Sequence, residues 1–261
     1  MSFVDEEDVR ASTEKLTREI WQKIKGVEVK DFPLLDYEEA MDRYGSDKPD
    51  LRNPMEIISC SELLQETGFK VIDSCLSSGG QVRALGLPIK EEVSRSQIDK
   101  WMKLVKSEGA GGLIWIKKSQ GEYLSPVNKF LDQDRLASVY KKVLPQGQGV
   151  VLMVSDSQSV VRRALGSLRN HLGKQYDLID KSQDRFCWVV NFPLLDFDDK
   201  EKRWVACHHP FTMAKEADLP LLKGEDSSQY GQVKAKAYDL VCNGNELAGG
   251  SIRCLLYTST S

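Results

Sequence analysis

The stretch from Asn243 to Arg253, NGNELAGGSIR, constrains this chain more than any other. It follows a strand-like run, Ala237–Cys242, and so belongs inside or at the end of a sheet. One carboxylate, Glu246, stands seven residues before one guanidinium, Arg253. In a regular strand an odd separation sends two side chains to opposite faces. Gly249 and Gly250 lie between them, and a bulge there would add one residue and bring both onto one face. The two would then flank a single pocket. Arg253 offers a fork suited to a carboxylate or phosphate, and Glu246 can hold a metal ion, a hydroxyl or an amine. A glycine-rich hairpin with two surface charges is the competing reading, since glycine pairs punctuate turns in many folds.

With 261 residues the chain has room for one large domain or two small ones. A net charge of −3 gives no basic field of the kind that marks a whole chain as a nucleic-acid binder, although local patches can still serve one. The cysteines at 60, 75, 187, 207, 242 and 254 form no C-x-x-C pair and mostly sit in apolar runs, as reduced, buried thiols do. Cys207-His208-His209 has no second cysteine at zinc spacing, so no structural zinc is expected. No apolar run of about 20 residues is present to span a membrane. The first residues show no signal-peptide pattern, and there is no P-loop or dinucleotide fingerprint.

In chain order, residues 5–25 read as an amphipathic helix with Val9, Leu16, Ile20 and Ile24 on its apolar face and Gly26 as its stop. A short helix, Tyr37 to Tyr44, ends at Gly45. The charged loop Ser46–Arg52 follows, with a proline that disfavours helix at Lys48. Met55–Cys60 and Phe69–Leu76 read as strands, and Ser77–Gly80 as a domain boundary. Residues 80–184 look like a separate α+β unit. In it the helix Ser157–Leu172 sets its apolar side inward and its three arginines in solvent. Phe186–Phe192 and Arg203–His208 read as two antiparallel strands joined by an acidic turn, Asp196–Lys202. A proline stop leaves His208 and His209 at the rim of the sheet, on a strand beside the Glu246/Arg253 segment. Residues 213–233 read as a mobile loop.

Three stretches, in order, carry a resemblance: Tyr44–Arg52 (YGSDKPDLR), His208–Thr212 (HHPFT) and N-G-x-E-x-x-G-G-S-I-R at the end. They resemble the bacterial-type (bacterial and mitochondrial) aspartyl-tRNA synthetases of class II, over most of residues 1–253. Asn245 departs from that pattern, which usually has an aromatic residue there, and Ala248 stands where it has glycine. The resemblance implies an α+β fold, a class II antiparallel sheet with helices, incomplete here and interrupted by an α+β insertion domain shared with some amidotransferases. The implied division is 1–76 and 186–253 for the catalytic domain, 77–185 for the insert and 254–261 for a tail foreign to the family.

It further implies aspartate–tRNA ligation with ATP and Mg²⁺, and tRNA(Asp) and aspartate as partners. His208, His209 and Arg253 would bind aspartate and Glu246 would bind ATP through Mg²⁺, with no catalytic side chain assigned. A homodimer is expected of the full-length enzyme, in a bacterial cytoplasm or a mitochondrial matrix. The family's first and second motifs, its anticodon-binding barrel and its third motif have no counterpart in this sequence. The chain is therefore expected to be an internal fragment, inactive alone. A non-catalytic paralogue acting as a protein- or RNA-binding module is the competing class. An amidotransferase accessory domain fits 80–184 but leaves His208, Glu246 and Arg253 unexplained.

Overall fold

The computed structural model describes residues 4–253 apart from 146, 199 and 225, so the tail 254–261 lies outside the described residues. The helices are α1 (Glu6–Lys25), α2 (Tyr37–Tyr44), α3 (Lys70–Ser77), α4 (Arg95–Ser107), α5 (Gln133–Val143), α6 (Gln158–Gln175) and α7 (Leu219–Lys223). The first strands are β1 (Leu34–Asp36), β2 (Ile57–Ser59), β3 (Gln81–Leu87), β4 (Ile114–Ser119), β5 (Glu122–Leu124) and β6 (Val150–Asp156). The rest are β7 (Phe186–Val190), β8 (Leu195–Asp198), β9 (Arg203–Ala206), β10 (Ala237–Cys242) and β11 (Asn245–Ser251). Helices with largely antiparallel sheets make this the expected α+β class. No helix among the described residues is long and apolar enough to cross a membrane.

The elements divide into two compact units. One takes the segments up to Ala40, Lys48–Leu51 and Ser182 onward, and the other takes Met41–Asp47 and Arg52–Lys181. The first unit carries a four-stranded sheet in the order β1-β7-β10-β11, parallel between β1 and β7 and antiparallel elsewhere. Phe186, Trp188, Val190, Tyr238, Leu240 and Cys242 alternate onto one face and bury there, with Val9 and Trp21 of α1 packed against them.

Helix α1 has the expected bounds, set by an Asp5 capping box and by Gly26 in the left-handed region at φ 67°. Of its expected apolar face, Val9 packs inward but the other three residues do not. Leu16, Ile20 and Ile24 are 58%, 40% and 78% exposed, whereas Thr17 is buried. Polar anchors decide the rotation. Glu14 accepts from Trp188 Nε1 at 3.0 Å, and Trp21 Nε1 donates to Asp184 at 2.7 Å. Arg18 donates to the carbonyls of Val29 and Lys30 and lies over the Phe32 ring.

Two further expectations fail in this unit. Strand β7 pairs with β1 and β10, not with β9. Strand β9 pairs with β8, whose last three residues lie inside the segment expected to be a turn. The Asp198 carboxylate closes that hairpin by accepting from the amides of Lys200 and Glu201. Residues 213–233, expected as loop, contain helical turns at Glu216–Asp218 and Ser227–Gln232 as well as α7.

The second unit is a five-stranded antiparallel sheet, β2-β3-β6-β4-β5. Helices α4 and α6 cover one face, where Leu85, Leu87, Leu152 and Val154 lie. Helices α3 and α5 cover the other, where Val82, Ala84, Val151 and Met153 lie. The expected strand Phe69–Leu76 is α3, with Ile72 buried and Asp73 accepting from Thr67 N and Oγ1 ahead of the helix. The expected boundary at Ser77–Gly80 falls inside this unit. Because β2 pairs with β3 and Leu64 and Ile72 join the same core, the unit already runs from Arg52.

Of the three arginines of α6, Arg163 is exposed as expected, but the other two depart from the solvated helix surface. Arg162 is buried and donates to Asp42. Arg169 is 1% exposed, donates to the carbonyls of Met55 and Asn53, and lies over the Tyr44 ring. Their charge is used for internal hydrogen bonds rather than for a solvated or RNA-facing surface.

Candidate functional site

Strands β10 and β11 are joined by Asn243 and Gly244, both at positive φ (55° and 80°), as a two-residue hairpin turn requires. Asn243 is held from two sides. Its Nδ2 donates to Asp184 at 2.8 Å and its Oδ1 accepts from Arg185 N at 2.9 Å. Asp184 also accepts from Lys25 Nζ at 2.6 Å and from Trp21, and chiefly the Lys25 bond pulls its carboxyl down to about 2. A side chain at Gly244 would press on Asp50, its Cβ 3.2 Å from that of Asp50.

Beyond the turn the register slips once. Val241 faces Glu246 but Leu240 faces Ala248, so Leu247 is the extra residue. The bulge is therefore at Leu247 and not at the expected Gly249-Gly250. The glycines pair regularly, with Gly249 opposite Asp239 and Gly250 opposite Tyr238. Their missing side chains serve close approach instead. A Cβ on Gly250 would lie 3.0 Å from the Tyr238 ring, and one on Gly249 would lie 2.5 Å from Asp239 Oδ1 and 2.8 Å from Glu246 Oε1. The consequence of the bulge is the expected one. Glu246, Gly249 and Ser251 share a face, Ile252 turns into the core, and Arg253 returns to the face of Glu246 by alternation.

Arg253 is exposed and bridges Thr212, whose Oγ1 lies 3.2 Å from Ser251 Oγ. Thr212 N in turn donates to the His209 carbonyl at 2.9 Å, which links the histidine turn to the end of β11. His208 and His209 are both exposed. His208 packs edge-on against Phe192, ring centroids 4.9 Å apart, and His209 Nδ1 accepts from Phe211 N at 3.2 Å. They sit past the end of β9, after the separate β8–β9 hairpin, and not on a strand beside β11. A single bridge, rather than a strand pair, connects their turn to Arg253.

Two side chains missing from the expected set stand here. Asp239 shares the Gly249 cradle with Glu246. Its signal was present in the sequence, as the one charged residue in the apolar run AYDLVC. Lys48, from the charged loop to which no role was given, places Nζ 2.8 Å from Glu246 Oε2. Two carboxylate oxygens converging over a position with no side chain suit a hard divalent cation such as Mg²⁺, which takes one or two carboxylates and completes its shell with water or phosphate. That fits the described residues, among which no three His, Cys, Asp or Glu gather into a full protein cage. Burial pushes the thiols of Cys60 and Cys207 up to about 11 and that of Cys187 to about 12.

The profile of the class II tRNA synthetases (D, K and N) matches residues 1–260, and the chain belongs to that family. Among its relatives, the aspartate–tRNA(Asp/Asn) ligase of Caldanaerobacter subterraneus subsp. tengcongensis is 42% identical over 255 residues, covering 97% of this chain and 42% of the relative. The aspartate–tRNA ligase of Clostridium botulinum is 41% identical with the same coverage. The aspartate–tRNA(Asp/Asn) ligase of Syntrophomonas wolfei is 43% identical over 254 residues, 43% of its own length. This chain thus spans well under half the length of the curated relatives it matches.

Proposed function

We propose that this chain carries the aspartate-binding part of an aspartate–tRNA ligase. One observation supports it above the others: the bulge at Leu247 turns Glu246 to the face that Asp239 of β10 and Gly249 share, the face to which Arg253, just past β11, returns by alternation. The reaction joins the aspartate α-carboxylate to the α-phosphate of ATP, with pyrophosphate leaving, and then passes the aspartyl group to a tRNA hydroxyl, with AMP leaving. Positioning and charge compensation carry such a transfer. Arg253 clamps the side-chain carboxylate of aspartate. That charge-assisted pair is worth about 1.5–3 kcal/mol and leaves the amide of asparagine poorly matched. His208 contacts the bound aspartate, with His209 behind it. Glu246, with Asp239 beside it, would hold ATP through Mg²⁺. The ion supplies charge neutralisation on the phosphates when bound.

The same reading makes Arg52–Lys181 the insertion domain, and tRNA(Asp), homodimerisation and a bacterial cytoplasm or mitochondrial matrix properties of the whole enzyme. The 42% share of the relatives' length supports a second point: the chain alone makes no aspartyl-adenylate. Aspartate-dependent exchange of pyrophosphate into ATP by purified 1–261 would contradict it. The site itself is tested by following the His208 and His209 imidazole resonances. Millimolar L-aspartate should move them, L-asparagine should not, and Arg253→Gln should abolish the response. Equal responses to both amino acids would overturn the site.

A further inference from the structure

The loop Ser46–Arg52 contains a side chain whose position asks for a purpose. Lys48 reaches Glu246 at 2.8 Å, although both side chains are about 40% exposed and solvent competes for each. A long surface side chain is seldom held so without help. Here its base is fixed. Pro49 disfavours helical backbone at Lys48 and is itself buried, and Asp50 packs on Gly244 in the β10–β11 turn, two residues before Glu246. The loop is pinned to the hairpin that carries the acid pair, and it aims an ammonium at that pair.

The charge arithmetic gives a reason. Asp239 and Glu246 converge over Gly249, and two carboxylates at such range repel unless a cation lies between or beside them. We propose that Lys48 is a tethered counter-cation that sets the cation affinity of this site: its ammonium balances the acid pair when no ligand is bound, and a divalent cation must displace it. With the ammonium in place, a divalent ion would give three positive charges against two negative ones. The ammonium therefore leaves Glu246 as the cation arrives. A bare ion pays the full cost of that displacement. An ion that arrives on polyphosphate brings oxygens that give the released ammonium a new partner, so Lys48 favours the metal–nucleotide over the free metal. The inference rests on reading Glu246 as the cation holder.

The experiment measures Mn²⁺ binding to the whole chain by the loss of the free-ion paramagnetic resonance signal, for the wild type, Lys48→Met and Glu246→Gln. Glu246→Gln should weaken binding at least about tenfold, as expected for loss of a ligating carboxylate. Lys48→Met should tighten it about three- to tenfold, the size of one partly exposed charge pair removed. Equal or weaker binding by Lys48→Met, with Glu246→Gln still weakened, overturns the role of Lys48 and leaves the cation reading intact. A Lys48 that merely held Glu246 in place would give that result. Unchanged binding in Glu246→Gln overturns the cation reading itself. A second readout needs no variant at Lys48. In chain with ¹³C-dimethylated lysines, Mg²⁺ should move the Lys48 resonance to the place it takes in Glu246→Gln, and a stationary resonance overturns the displacement.

Discussion

Asp184→Asn changes one oxygen to a nitrogen at the junction that holds both α1 and the β10–β11 turn. The wild-type carboxylate receives Trp21 Nε1 at 2.7 Å and Lys25 Nζ at 2.6 Å on one oxygen, and Asn243 Nδ2 at 2.8 Å on the other. The amide can still accept from Asn243, though more weakly, at a cost of about 0.5–1 kcal/mol. Its NH₂ then faces the indole N–H, donor to donor, which costs about 1–3 kcal/mol. The Lys25 pair is half exposed and contributes at most about 0.5 kcal/mol after solvent screening. The sum is about 1.5–4.5 kcal/mol at pH 7. Its pH dependence is the sharper test. The Asp184 carboxyl titrates at about 2 in the folded chain, below the ordinary 3.8, first because of the Lys25 hydrogen bond. A depressed folded value means that this stability is fully present above about pH 5 and is lost as pH falls through the interval from about 4 to 2. Asparagine does not titrate, so the gap between wild type and variant should shrink across that interval. Urea unfolding read from the Trp21 indole N–H resonance, at pH 7 and at pH 2.5, measures it. A gap under about 0.5 kcal/mol at pH 7, or one unchanged at pH 2.5, would refute the reasoning.

Gly166→Ala would drive its methyl into the Gly45 carbonyl, where two backbones meet. It should destabilise the second unit by about 3 kcal/mol and lower its melting temperature by about 10 °C in calorimetry. Leu16→Gln with Ile24→Gln should change stability by less than about 0.5 kcal/mol each, since both side chains are in solvent, whereas Trp21→Ala should cost about 3 kcal/mol. Urea midpoints compare them, and a large loss from the double variant would show the apolar stripe buried.

What the sequence determined by itself is local. Caps and stops set α1 at Asp5 and Gly26, because one carboxylate and one left-handed glycine satisfy a helix end without outside help. The short, mostly apolar runs Val150–Val154 and Ala237–Cys242 became strands, as runs of that length between turn signals do when both faces are buried. The spacing of Glu246 and Arg253, with a bulge needed between them, was also legible. Only the tertiary structure decided which residue took the bulge, which face of α1 was buried, and that β7 pairs with β1 and β10 rather than with β9. Each depends on which side chains meet once the strands and helices pair. The rotation of α1 rests on Trp188 and Asp184, the bulge on the carboxylates and the ring that Gly249 and Gly250 must admit, and the strand order on which apolar faces meet. Lys48 and Asp239 went unassigned for the same reason. A lysine in a charged loop and an aspartate in an apolar strand acquire a purpose only when folding carries both to one glycine hairpin.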